Sequence, residues 1–331
     1  MVTMTDVARR AGVSVTTVSH VLNGTRAVSP RTERAVRDAV EQTGYVSDGL
    51  ARSLRTGTTH TIGLAMSAIS NPYFAEVVHA IEREAGAAGY SLLLAETHDE
   101  AVSEARAVTD VLGRRVDAVV LAPSAQPTAA LTAARRRKVP VVLIDRLLDE
   151  PLDQVGVANE EPTAHLVEHL AGHGHERIGF VAGRPGLSTS EERLQGYRIG
   201  LERSGLDADP ALVVTGNSDD ECARQAVDAL LASPRPPTAV VAGNNLMTIG
   251  ALRALGARGL RVPDDTALVA FDDFPWADLF SPRLTVMAQP TREMGRTAVS
   301  MLLERLGGGG GDPRQVRLEP TFVRRDSCGC A

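Results

Sequence analysis

From residue 60 onward, short and wholly apolar runs alternate with helical stretches, and that alternation limits the fold more than any other feature of the chain. Ile62-Gly63-Leu64-Ala65-Met66 precedes a helix expected near 75–88, and Ser91-Leu92-Leu93-Leu94 precedes one near 101–114. Ala118-Val119-Val120-Leu121 leads to a helix near 129–137, then to Val141-Val142-Leu143-Ile144. Apolar runs this short, set between helices, read as strands of a parallel sheet covered on both faces. The theme restarts at Ile178-Gly179-Phe180-Val181 and continues through Ala239-Val240-Val241 and Leu268-Val269-Ala270-Phe271, which predicts two similar α/β lobes.

The first 59 residues follow different rules. Thr3-Met4-Thr5-Asp6 has the spacing of a capping box, Val7, Ala8 and Ala11 mark the apolar face of a short helix, and Gly12 supplies a turn. Ser14 is placed to cap a second helix running to Leu22, with Val18 and Val21 facing inward. Ser29-Pro30 starts a third over 31–42, which Gly44 ends. Two short helices joined at a glycine form a helix-turn-helix. The outward face of the second presents Val15, Thr16, Thr17, Ser19 and His20, small or polar residues in the turns that enter a major groove. Thr16 suits a base edge or a phosphate, Val15 a thymine methyl, and Arg26 a phosphate or a guanine edge. A three-helix cap packed on a neighbour is the plainer alternative. Charge favours the first reading: eight arginines against five acids give this head +3, whereas the rest of the chain carries −9. Beyond it, Leu50, Ala51 and Leu54 lie at helical spacing beside Arg52 and Arg55. A helix of about nine residues is shorter than the ~12–15 that stand alone in water, so it needs DNA or a second copy for support.

In open α/β sheets, ligands sit beyond the carboxyl ends of the strands. Ser70-Asn71-Pro72-Tyr73-Phe74 follows the first strand and Asp145-Arg146 the fourth, while Ser190 and Arg193 open a helix of the second lobe. Asn244-Asn245 and Asp272-Asp273-Phe274-Pro275-Trp276 follow two later strands. Tyr73, Phe74 and Trp276 offer flat apolar faces, and Asp145, Arg193, Asn245 and Asp272 offer polar arms. Such a set suits a polyhydroxylated ring, whose hydroxyls both donate and accept. Each residue also has a plainer role, because an Asp at a strand end often caps the next helix and an aromatic cluster often fills a lobe interface.

The run Thr5-Asp6-Val7-Ala8-Arg9-Arg10-Ala11-Gly12-Val13-Ser14, with Thr17-Val18-Ser19-His20-Val21-Leu22-Asn23 and Ala51-Arg52-Ser53-Leu54-Arg55-Thr56-Gly57, resembles the LacI family of bacterial repressors. The similarity extends over nearly the whole chain, closest in the head to purine-repressor-like members and in the body to sugar-responsive ones. It implies a helix-turn-helix domain over 1–46, a hinge helix and linker over 47–59, and an effector-binding and dimerisation domain over 60–331. That body would have two Rossmann-like lobes of periplasmic-binding-protein type, with crossings near 158, 288 and 320. The resemblance further implies a homodimer on a palindromic double-stranded operator. Residues matching Val15, Thr16 and Arg26 would read the major groove, and Leu54 would wedge into the minor groove, although packing of hinge on hinge remains open for it. Asp145, Arg193, Asn245 and Asp272 match effector-contacting positions. The chain departs from the family at Ser47-Asp48-Gly49, where many members carry a proline and then an asparagine; the Asp48 charge is unfavourable beside phosphates.

Other classes are excluded or disfavoured. With 43% apolar residues the composition is that of a folded protein, yet no run approaches the ~18 apolar residues of a membrane span. Asp6, Arg9 and Arg10 argue against a secretory signal, and three cysteines make no disulfide framework, so a cytoplasmic protein is expected. No G-x-S-x-G, H-E-x-x-H or P-loop is visible, hence no enzyme and no cofactor is expected. His173-Gly174-His175 reads as a polar turn, Cys328-Gly329-Cys330 as a solvated tail, and 135–138 as the solvated cationic end of a helix, so no metal is expected. Gly307–Gly311 reads as a flexible surface loop. The expectation is a DNA-binding transcriptional regulator, a repressor, whose operator affinity is set by a small effector between the lobes. A sugar or sugar phosphate comes first for that effector, with a nucleobase or nucleoside as the alternative. A transporter's solute-binding protein would share the body but not the basic head.

Overall fold

The computed structural model describes residues 2–23, 26–45, 57–67 and 71–330. Leu54, Arg55, Ser70 and most of the expected hinge lie outside the described residues. The chain divides into two compact units, Met1–Thr59 and His60–Ala331.

The first unit holds α1 (Met4–Ala11), α2 (Val15–Asn23) and α3 (Pro30–Thr43). Local chemistry sets their ends. The Thr3 hydroxyl accepts from the Asp6 backbone N–H, and the Asp6 carboxylate accepts in return from Thr3 N at 3.0 Å. Gly12 closes α1 at φ 65°, a left-handed conformation that costs glycine nothing. Ser29 caps α3, with Pro30 at the position where a missing N–H does no harm. Val7, Ala8, Val18, Val36 and Ala39 bury together and fix the angles between the helices.

The second unit is built from two six-stranded sheets. In the first lobe, β1 (Thr61–Met66), β2 (Ser91–Glu96), β3 (Ala118–Leu121), β4 (Val141–Asp145), β5 (Asp153–Val157) and β11 (Gln315–Leu318) are ordered β11-β5-β4-β3-β1-β2, all parallel. In the second, β6 (Ile178–Ala182), β7 (Val213–Thr215), β8 (Ala239–Ala242), β9 (Ala267–Phe271), β10 (Thr285–Ala288) and β12 (Thr321–Val323) repeat that order as β12-β10-β9-β8-β6-β7. Among the described strands only β12 runs antiparallel, against β10. Helices α4 (Pro72–Ala87), α5 (Ala101–Gly113), α6 (Thr128–Arg137) and α11 (Thr291–Leu306) cover the two faces of the first sheet. Helices α7 (Glu160–Gly172), α8 (Ser188–Arg203), α9 (Asp220–Leu231) and α10 (Asn245–Ala257) cover the second. The chain passes between sheets three times: from β5 to α7, from β10 to α11 and from β11 to β12. A helix-turn-helix head and a two-lobed parallel α/β body are therefore both present, as the sequence pattern and the resemblance implied.

Three local expectations are corrected. Helix α4 begins at Pro72 rather than near 75, because the Asn71 side chain accepts from Tyr73 N at 2.9 Å and caps it. The Gly307–Gly311 segment is exposed but tethered, since the Arg305 guanidinium donates to the Gly311 carbonyl at 2.8 Å and the Asp312 carbonyl at 3.2 Å. Cys328 belongs to no solvated tail. It is fully buried, because residue 327 lies beside β9: Leu268 N donates to Ser327 O at 2.8 Å and Ser327 Oγ to Leu268 O at 2.6 Å.

Helices α7 and α8 approach closely because α8 presents two glycines one turn apart. A Cβ on Gly196 would lie 2.2 Å from the Glu160 carbonyl oxygen, and one on Gly200 would lie 2.7 Å from that of Ala164. Backbone cannot give way as a flexible side chain can. Gly196→Ala is therefore expected to cost about 1–3 kcal/mol, read as a lower urea midpoint. Gly113→Ala, whose Cβ would meet nothing within 4 Å, is expected to leave the midpoint unchanged or raised.

Candidate nucleic-acid face and ligand cleft

In the head, Val18 and its neighbours anchor α2 and leave its opposite side outward. Val15 is 40% exposed, and Thr16 and Arg26 are exposed, while Thr17 and His20 are half-buried. Ser14 Oγ accepts from Thr17 N at 3.1 Å and lies 2.8 Å from Thr17 Oγ1. Ser14 and Thr17 thus set the start of α2, and Val15 and Thr16 are left exposed on its outward side. The first-turn N–H groups of a helix also favour an anion such as phosphate.

In the body, the sequence-predicted residues Tyr73, Phe74, Asp145, Ser190, Arg193 and Asp272 line one cleft between the lobes. Tyr73 donates its hydroxyl to Asp145 Oδ1 at 2.6 Å, and burial together with the Asp145 charge raises the phenol well above its ordinary value. Arg146 lies behind, donating to both Asp99 carboxylate oxygens at 2.5 and 3.2 Å and to the Pro123 carbonyl at 2.9 Å. On the facing wall, Arg193 donates to Asn159 Oδ1 at 2.8 Å and to the Gly243 carbonyl at 2.7 Å, with its guanidinium 3.8 Å from the centre of the Phe271 ring. Asp272 accepts from Gln289 Nε2 at 2.5 Å and from Asn245 N at 3.4 Å. Burial raises its carboxyl above the ordinary range, although Arg193 and Gln289 pull the other way. Gly183 lies against Ser190, whose Oγ would be 2.4 Å from an added Cβ. Arg184 reaches from the second lobe to the first, donating to the carbonyls of His98 at 3.2 Å and Asp99 at 2.9 Å. The cleft is nearly closed: its free space is about 50 Å³, against the ~300–1,000 Å³ of an ordinary ligand pocket.

Two sequence-predicted residues fall elsewhere. Trp276 is 42% exposed and packs in a separate groove with Pro72, Ala75, His79 and Pro275, because the chain leaves the strand ends after Asp273. Asn244 lines the cleft, whereas Asn245 starts α10 behind it, with both side-chain amide atoms buried and unpartnered. Asp99 and Gln289 line the cleft without having been foreseen. Both lie just past strand ends, β2 and β10, so the rule that found Asp145 would have found them.

Comparison with known proteins agrees with the head and the two-lobed body. A model described as bacterial regulatory proteins, lacI family, matches residues 3–48, and one described as periplasmic binding protein-like domain matches residues 167–328. The HTH-type transcriptional repressor PurR of Photobacterium profundum is 35% identical over 329 residues, covering 99% of this chain and 98% of that one. The chain belongs to the LacI family. The Lac repressor dimer bound to operator and the anti-inducer ONPF superposes with a TM-score of 0.88 at 28% identity, covering 99% of both chains. The CelR–cellobiose complex does so with 0.76 at 31% identity, over 99% of this chain and 100% of the other. As a LacI-family member it is a DNA-binding transcriptional repressor with an effector-binding type of body.

Asp272 offers a test of the cleft. A carboxyl whose folded value is raised binds its proton more readily folded than unfolded, so it lowers stability as pH rises above its ordinary value of 3.8 toward the raised one. Asparagine keeps the shape and tolerates the φ of 76°. Asp272→Asn is expected to raise the urea midpoint at neutral pH and to flatten its dependence on pH above 3.8.

Proposed function

We propose that this LacI-family repressor acts as a homodimer on a palindromic duplex, and that a neutral polyhydroxylated molecule, a sugar, held between the lobes sets its grip. The observation that carries the choice of ligand is the charge balance of the cleft. Asp99, Asp145 and Asp272 outnumber Arg146 and Arg193 on the wall, Arg146 is already paired with Asp99, and Arg193 keeps N–H groups beyond those spent on Asn159 and Gly243. A sugar phosphate would bring about −1.5 to −2 more charge to a wall on which carboxylates already outnumber cations among the described residues. Hydroxyls, by contrast, can donate to the carboxylates and accept from Arg193 together. A relative's solved structure that holds cellobiose supports the same class. The small free space means that the lobes must part for a sugar to enter and close again around it. That motion, carried through the dimer to the two hinges, would change the spacing of the heads.

Calorimetry against neutral sugars, sugar phosphates and nucleosides tests the ligand. Neutral sugars are expected to bind, and Arg193→Ala to abolish the heat while leaving operator binding intact. Binding by phosphates or nucleosides alone overturns the assignment. On a duplex selected from a random pool, Thr16→Ala and Arg26→Ala are each expected to cost about 1–3 kcal/mol, read by fluorescence anisotropy. Leu54→Ala is expected to weaken the same complex without changing the circular dichroism of the protein.

A further inference from the structure

We propose that His169, His173, Cys328 and Cys330 form a tetrahedral zinc site that clips the C-terminal segment to the second lobe. The four residues come from two places. His169 lies in the last turn of α7 and His173 is its C-cap, so their rings lie on one side of the helix with centroids 4.6 Å apart. Cys328, fully buried, and Cys330, half-buried, come from the segment held beside β9. Cys330 Sγ lies 3.0 Å from Cys328 Sγ, 3.3 Å from His169 Nε2 and 3.0 Å from His173 Nε2. The donor atoms of His169, Cys328 and Cys330 all fall within 4.8 Å of one another.

These distances match the chemistry of the ion. Zinc bonds of about 2.3 Å to sulfur and 2.0–2.1 Å to nitrogen, at tetrahedral angles, give edges of roughly 3.8 Å between sulfurs and 3.5 Å between sulfur and nitrogen. Along the three edges that Cys330 makes, the atoms need to spread by less than about 1 Å on those figures, and the His173 ring, which stands outside the close group of the other three, must swing toward them to complete the tetrahedron. His173 is already oriented: its Nδ1 lies 2.7 Å from the His169 carbonyl, which holds the proton there and leaves the Nε2 lone pair facing the thiols. His175, its neighbour in sequence, takes no part, because its Nδ1 meets Thr238 Oγ1 at 2.9 Å. Two thiols and two imidazoles in a compact tetrahedral set suit zinc among the common cations, since both thiols lose their protons to the ion.

The site stands at the C-terminal end of a helix whose N-cap, Asn159, accepts a hydrogen bond from Arg193 in the cleft. It is independent of the ligand proposed above. Its physical role is to tie the last residues of the chain to α7, where Ser, Cys and Gly supply little apolar surface for packing.

The experiment uses the full-length protein, treated with chelator under reducing conditions and then given zinc or cobalt(II). After gel filtration, one zinc per chain is expected to remain. Cobalt is expected to show a thiolate charge-transfer band in the near ultraviolet and the visible d–d absorption of a tetrahedral site. Cys330→Ser and His173→Ala, both at positions that are not fully buried, are each expected to weaken zinc by about 10-fold or more, and His175→Ala to leave it unchanged. Loss of zinc from the wild-type chain on gel filtration, a cobalt spectrum without the thiolate band, or equal effects of His173→Ala and His175→Ala would each overturn the proposal.

Discussion

Parallel pairing gives each sheet a direction, and the rest of the body depends on it. All strands of a parallel sheet end on the same rim, so the residues just past those ends form one surface, and the two lobes set their rims face to face. The likeness of the lobes extends to the backbone. Asp145 ends β4 at φ 71°, and Asp272 follows β9 at φ 76°, in the same place in the strand order. His98 and Asp99 after β2 have φ of 54° and 55°, and Asn217 and Ser218 after β7 have 54° and 57°. Left-handed backbone costs most residues about 1–2 kcal/mol, less for Asp and Asn. Its return here is direction. The next element after each is a strand, β5 or β10, so neither Asp145 nor Asp272 has a helix to cap, and both line the cleft.

How much of this was legible depended on how local the information was. Strands β1, β3, β4, β6, β8 and β9, apolar but for Thr61 at the start of β1 and Asp145 at the end of β4, announce themselves, because a strand buried on both faces needs apolar residues along its length. Strand β5 does not, since Asp153 and Gln154 occupy it. Asp153 is tolerated there because Arg305 donates to it at 2.6 and 3.1 Å, and Arg314 N at 2.8 Å. Those partners come from more than 150 residues away, and nothing in the local pattern points to them. The cleft was mostly readable because its residues follow strand ends. Trp276 falls outside it because nearness in sequence to Asp272 does not bring nearness in space. The pairing of His173 rather than His175 with the cysteines depends on where α7 stops, a detail finer than periodicity resolves.

The cleft also shows preorganisation set against stability. Arg193 is held by a side-chain amide, a backbone carbonyl and an aromatic face before any ligand contact. Its conformational entropy is already lost, so less is lost on binding. The counterpart is strain in the polar groups around it. Asp272 is buried against its preference for ionisation, and Gln289 Oε1, also on the cleft wall, has no hydrogen-bond partner. Groups left in that condition gain from an incoming hydroxyl what a better-satisfied protein would already have gained in folding.

The bonds from Arg184 to the His98 and Asp99 carbonyls bridge the two lobes beside the cleft, and if the lobes part for a ligand as proposed, they bear on the tempo of the response. A molecule arriving at a shut entrance waits for those bonds to break, so its capture rate levels off at the opening rate however much of it is present. Apparent affinity is likewise diluted by the fraction of time the entrance is open. Once the bonds re-form over an occupant, they slow its escape. The arginine thereby lends the molecule a memory of its last encounter.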